Sequence, residues 1–244
     1  MQIDTLAVRL RPRTPFEAAD LGTRLCQHAW RDVFACYAVA AVPVLALVIA
    51  AFTRSGGLAV LVAWWLKPWL DRTVLFVLSR AAFGQPTRVA DLVRAQRTAW
   101  WRRAWFTLTV RRLSPWRSLT EAVYQLEGLP LTRSAARVRQ IRYRHAWSAL
   151  MMTQTFLLSE VALALSLFSL AFWLAPGNQV PGLDVMIGGE IPPLIAIGLP
   201  IAYLIAMFVI EPFYVAAGFA MYLNRRAELE AWDLEQELRR AFAR

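Results

Sequence analysis

Residues 33–52 read VFACYAVAAVPVLALVIAAF, twenty residues without a charged side chain. At 1.5 Å per residue, a helix of this length crosses the roughly 30 Å hydrocarbon core of a bilayer. The whole chain of 244 residues is 58% hydrophobic, which exceeds the apolar share of ordinary soluble domains. We therefore predict an all-α integral membrane protein.

Three further apolar stretches predict a total of four transmembrane helices. The second crossing lies within residues 58–80, the third covers about 149–174, and the fourth lies within 191–223. Prolines at positions 192, 193 and 200 argue against a continuous helix from residue 191, so we expect the fourth crossing to begin near Pro200. The arginine-poor loops are then external, and both termini are cytoplasmic.

A basic segment separates the second and third crossings. Between residues 84 and 148 there are thirteen arginines and three acidic residues, and tryptophans are interleaved with them. This pattern predicts amphipathic cytoplasmic helices that contact the lipid bilayer and its anionic headgroups, one of them opened by a capping box at Ser118 and Glu121. A basic segment also suits nucleic acid, but membrane anchoring explains the arginines of so apolar a chain, and we predict no nucleic-acid partner. The predicted interfacial anchors are His28, Trp30, Trp100, Trp101, Arg102, Arg103, Trp105, His145 and Trp147.

Both histidines of the chain lie in the tripeptide His-Ala-Trp, at 28–30 and 145–147. Each tripeptide precedes a pair of predicted crossings, and the second crossing of each pair contains a charge, a proline and an aromatic residue at 67–69 and 211–213. We predict two parallel two-helix repeats, about 22–83 and 139–226. The Arg/Trp-rich segment 84–138 joins them, and an amphipathic tail, 227–244, follows.

The repeats place Lys67, the only lysine, at the position equivalent to Glu211. We predict that the two form a buried pair, because either charge alone at mid-membrane costs about 3 kcal/mol. Exchanging the two residues is expected to recover part of the stability lost on removing either. Glu160 extends the layer, with Arg72 or Arg80 as candidate partners. The predicted intramembrane polar layer comprises Lys67, Pro68, Asp71, Arg72, Glu160, Glu211 and Pro212.

The sequence contains no His-Glu-x-x-His motif, nucleophile elbow, phosphate-binding loop or dinucleotide fingerprint. Its two cysteines and two histidines do not have metal-site spacing. We therefore predict no catalytic residues, no metal and no cofactor.

Two stretches, WWLKPWLDR at 64–72 and EPFYVAAGFAMYLNRR at 211–226, carry a resemblance that spans nearly the whole chain. The chain resembles the N-terminal membrane half of uncharacterised proteobacterial inner-membrane proteins, in which a similar bundle can precede a C-terminal domain of unknown function numbered 4129. The resemblance implies a helical bundle in the bacterial inner membrane and leaves the activity open.

Two functions follow from these patterns. We expect a non-catalytic scaffold that docks a cytoplasmic or membrane protein partner, because four crossings enclose little pore volume. The alternative is a small transporter or channel for a proton, ion or lipid, in which the polar layer is the path. The two differ in whether Lys67 and Glu211 line a water-accessible cavity or face packed side chains.

Overall fold

The computed structural model describes residues 13–101, 104–174 and 193–230. The described residues are helical and contain no β-strand, which confirms the all-α prediction for this part of the chain. In chain order the helices are α1 Pro15–His28, α2 Trp30–Phe52, α3 Gly56–Ala81, α4 Val89–Arg94, α5 Ala104–Leu108, α6 Arg117–Leu126, α7 Leu131–Arg142, α8 Ala146–Leu174 and α9 Pro193–Glu230. A π-helical turn, Arg97–Trp101, lies between α4 and α5.

Three described segments are long and apolar enough to cross a membrane: Trp30–Phe52, Ala146–Leu170 and Ile197–Glu230. They indicate a membrane protein. The predicted second crossing, α3, is a continuous helix of 26 residues but is not among these three. Its central turns contain Lys67, Asp71 and Arg72, and all three side chains are buried inside the bundle.

The helix ends follow local sequence signals. Thr14 caps α1 in a capping box with Glu17, and the Ser55 hydroxyl accepts from the backbone N–H of Leu58 at 3.1 Å at the start of α3. After α3 and α6, Gly84 and Gly128 adopt positive φ angles of 69° and 67°, a conformation that glycine reaches without steric cost.

The candidate membrane span of α9 begins at Ile197, close to the expected start near Pro200, but the expectation that prolines prevent a continuous helix there is wrong. α9 begins at Pro193 and continues through Pro200 and Pro212 to Glu230. A proline in the first helical turn loses no hydrogen bond, and an interior proline removes one, whereas a break in an apolar surrounding would expose several backbone groups. The same argument explains why α2 continues through Pro43.

Three of the predicted segment boundaries fall inside helices. Residue 22, where the first repeat was expected to begin, lies in α1. Residue 139, where the second repeat was expected to begin, lies in α7. The predicted tail, 227–244, begins within α9, and its part beyond Glu230 lies outside the described residues.

Close helix packing is concentrated on one stretch of α9. A Cβ atom added at Gly22 of α1 would lie 2.2 Å from the carbonyl oxygen of Ala216. One at Gly218 of α9 would lie 2.4 Å from the Cβ of Ser118 in α6. Glycine therefore permits α1 and α6 to approach α9 more closely than any larger residue would allow.

The amphipathic pattern of the basic segment predicted that it lies on the surface, but part of it is buried. Arg111, Arg112, Arg117 and Glu121 are all buried. The predicted capping box is also wrong, because α6 begins at Arg117 after Trp116, and Ser118 lies within the helix. Arg111, Arg117 and Glu121 pack into the bundle in ion pairs, and Arg112 packs over the ring of Trp64.

A buried ion network beside a cavity

The centre of the network is Lys67, half-way along α3. Its Nζ lies 2.8 Å from the Oε2 of Glu211 on α9 and 2.5 Å from the Oε2 of Glu160 on α8. The structure thus brings together the predicted pair and joins Glu160 to it. Glu160 pairs with Lys67 and not with Arg72 or Arg80 as expected, so one ammonium group links three helices.

Arg117 of α6 connects this pair to the next acidic residue of α3. Its Nη2 lies 2.8 Å from the Oε1 of Glu211, and its Nε lies 2.8 Å from the Oδ2 of Asp71. Glu211 therefore has a cation on each of its carboxylate oxygens. The side chains of Lys67, Asp71, Arg117 and Glu211 are almost fully enclosed by protein, where Coulomb attraction is weakly screened.

The network continues through Arg72 and Arg111, which share Glu121 of α6. The Nη1 of Arg72 lies 3.6 Å from Glu121 Oε1 and donates to the hydroxyl of Thr107 at 3.1 Å. Arg111 forms an ion pair with the other oxygen of Glu121 and lies over the ring of Tyr124, 4.1 Å from its centroid. These contacts attach the basic segment to α3.

The prolines of the predicted layer, Pro68 and Pro212, are buried directly after Lys67 and Glu211. All seven residues of the layer therefore lie in the interior of the bundle. Sequence reasoning missed Arg111, Arg117 and Glu121, because nothing in a run of thirteen arginines separates a buried one from an interfacial one. A signal was nevertheless present: the predicted layer contains three acids but only Lys67 and Arg72 as bases, so a further cation was required.

One side of the network opens into a cavity of about 290 Å³. Its charged lining consists of Lys67, Arg112, Arg117, Glu160 and Glu211, and Ser114 and Thr153 line it as well. The remaining lining is largely apolar. Lys67 and Glu211 are thus nearly buried and also line this cavity.

Arg112 also lines the cavity, and its neighbour in space is a tryptophan rather than an acid. Its guanidinium lies 3.5 Å from the centroid of the Trp64 ring, and its Nη2 donates to the Trp64 carbonyl at 2.6 Å. Among the described residues no carboxylate lies within ion-pair distance of it, and its Nε has no hydrogen-bond partner. Burial lowers the pKa of Arg112 to about 10, and the neighbouring Arg117 cation adds to the shift, yet the group stays charged at neutral pH.

The predicted interfacial anchors divide into two groups. His28, Trp30, Trp101, Trp105 and Trp147 are exposed. Trp100 and His145 are not: Trp100 stacks on Trp69 and donates to the Thr73 hydroxyl at 2.8 Å, while His145 lies 3.4 Å from Glu228. Burial lowers the pKa of His145, and the Glu228 carboxylate opposes that shift. Arg102 and Arg103 lie outside the described residues.

Comparison of this chain with protein families, with characterised proteins and with solved structures finds no match.

Proposed function

We propose that this chain is a small membrane transporter that takes the polar head of an amphipathic molecule into the cavity beside Lys67, Glu160 and Glu211. The observation that supports this function over a scaffold is the cavity itself. A network that served only to hold helices together gains nothing from an open side, because charges in low dielectric need every available partner.

The size of the cavity suits a headgroup. Ligand sites for whole drug-sized molecules occupy about 300–1,000 Å³, so 290 Å³ is near the lower end of that range. The volume accommodates a polar head, while an attached hydrocarbon chain would remain outside.

The rim of the cavity provides a place for such a chain. Leu113, which is 77% exposed, and Leu157 of α8 both line the cavity and reach the surface. Leu157 continues into the exposed apolar face of α8, at Leu158, Val161 and Leu165. Since α8 is one of the candidate membrane spans, a hydrocarbon chain leaving the cavity would meet an apolar surface.

The scaffold function is the second candidate, and exposed aromatic residues outside the candidate spans favour it. Trp105 is 81% exposed and Trp101 is also exposed, on the same basic segment. Such rings suit a membrane interface or a docked protein partner.

We further propose four crossings, with α3 as the second, in the bacterial inner membrane and with both termini cytoplasmic. α3 is long enough to cross, and its charges face protein, as charged residues in membrane spans generally do. The arginine asymmetry of the loops and the resemblance to proteobacterial inner-membrane proteins support the orientation and location. The equivalent positions of Lys67-Pro68 and Glu211-Pro212 support the parallel repeats.

Cysteine accessibility and lipid movement test the transporter function. In a variant without Cys26 and Cys36, Ser114→Cys in the cavity should react with a small charged thiol reagent. Ser134→Cys is the matched control, because Ser134 is fully buried away from the cavity. In proteoliposomes the protein should speed the transbilayer movement of a fluorescent phospholipid. Equal labelling at both positions, together with lipid movement at the rate of protein-free vesicles, would refute the function.

A further inference from the structure

The charges of the network balance without Arg112. Four bases, Lys67, Arg72, Arg111 and Arg117, are paired with four acids, Asp71, Glu121, Glu160 and Glu211. Arg112 is a fifth buried base on the cavity wall, and its side chain contacts none of these carboxylates within ion-pair distance. Among the described residues, the network and Arg112 together contain five bases and four acids, which leaves an excess of one positive charge.

The geometry of Arg112 leaves donors available. A guanidinium has five N–H groups in a planar fork, and the contact with the Trp64 carbonyl uses one nitrogen of the three. Stacking on the Trp64 ring fixes the plane of the fork without using its edge. Arg112 is only 6% exposed, so water supplies little compensation for its charge.

We infer that the ligand of this cavity contains a phosphate group, which binds the guanidinium of Arg112. This inference rests on the proposed function and specifies its substrate class. A planar guanidinium matches two phosphate oxygens with two parallel hydrogen bonds, and the added negative charge balances the cavity. The hydroxyl of Ser114, which lines the same cavity, is a suitable donor to a further phosphate oxygen.

The same phosphate chemistry has two sources, a phospholipid headgroup and free phosphate, and the experiment separates them. Purified, delipidated protein is titrated with phosphatidic acid, with diacylglycerol of the same chains, and with inorganic phosphate, and bound species are counted by native mass spectrometry. Phosphatidic acid should bind at least about tenfold more tightly than diacylglycerol, which is the effect of losing one charge-assisted hydrogen-bonded pair. Arg112→Gln should abolish this difference, whereas Arg94→Gln, at an exposed position, should preserve it.

A second variant covers the case in which Arg112→Gln fails to fold. Leu113→Glu places a negative charge at the exposed rim and should weaken phosphatidic acid binding, while Leu113→Gln, with the same size and no charge, should not. Displacement of phosphatidic acid by millimolar inorganic phosphate would support the phosphate site and assign it to the free ion as well. Equal binding of phosphatidic acid and diacylglycerol would overturn the phosphate inference but leave the proposed function standing. Absence of all lipid binding, with Ser114→Cys unreactive, would overturn both.

Discussion

Replacement of Lys67 by methionine is expected to leave one particular carboxylate uncompensated. Lys67 contacts both Glu160 and Glu211, but the two acids differ in what remains without it. Glu211 keeps Arg117 at 2.8 Å. Among the described residues, Glu160 has no second base within ion-pair distance, so its buried charge loses its only cation.

Because of these contacts, we expect the single variants to lose different amounts of free energy of unfolding. Removing one partner of a buried ion pair costs about 3–5 kcal/mol, so Lys67→Met should be the most destabilising change. Glu160→Gln leaves Lys67 paired with Glu211 and should cost about 1–3 kcal/mol. In the double variant that combines Lys67→Met with Glu160→Gln, no carboxylate of this site is left without a cation. The two changes should therefore be non-additive by about 2 kcal/mol.

Thermal unfolding in detergent measures the effect. For a chain of this size each kcal/mol corresponds to a shift of roughly 2–4 °C, so Lys67→Met should lower the melting temperature by roughly 6–20 °C. Arg94→Met is the control, because the Arg94 side chain is 82% exposed and its pair with Asp91 is a surface pair. If the effects of Lys67→Met and Glu160→Gln add within about 0.5 kcal/mol, the two residues are not coupled and the network is wrong as described.

The geometry also revises the expected outcome of exchanging Lys67 and Glu211. A lysine at position 211 would lie beside Arg117, which now pairs with Glu211 at 2.8 Å. Two like charges would then face each other in the interior of the bundle. The exchanged variant should therefore be no more stable than Lys67→Met, and recovery would show that Arg117 is not part of the site.

Other features give independent predictions. Gly22→Ala should destabilise by about 1–3 kcal/mol, because its methyl group would overlap the backbone of α9, whereas Gly57→Ala, with open space around it, should be neutral or stabilising in the same melting assay; equal effects would contradict the packing. Since the lowered pKa of His145 lets the unfolded chain bind its proton more readily, stability should fall as the pH drops below about 6.5. His145→Gln should remove that part of the pH dependence, and an unchanged profile would exclude this residue as its source. For topology, a cysteine at exposed Ser55 should react with an impermeant reagent from the periplasm and one at exposed Thr132 should not; labelling at Thr132 in intact spheroplasts would refute the four crossings.

The sequence predicts the structure best where a residue has few possible partners or environments. A lysine within an apolar stretch must find an acid, and the equivalent position of Glu211 identified one. Glu160 was assigned to the wrong base, because sequence periodicity does not fix how helices rotate against one another. Arg112 and Arg117 were missed for a different reason: an arginine in a segment rich in tryptophan has the same pattern whether its guanidinium lies at a lipid surface or is buried, as both of these are.

Ala216, Ala217 and Gly218 of α9 have a consequence for how the cavity can change shape. Gly22 of α1 and Ser118 of α6 both approach this one turn so closely that a Cβ atom at Gly22 or Gly218 would overlap its neighbour. We therefore expect α1, α6 and α9 to move together as one body. Of the four helices that line the cavity, α6 and α9 belong to this body, while α8 exposes most of its surface and contributes Leu157 at the rim. Spin labels on Leu158 and Ile205 should change their separation on lipid binding, and labels on Phe16 and Leu229 should not. Under the proposed function, we therefore expect admission of a ligand to the cavity to require movement of α8 relative to α9.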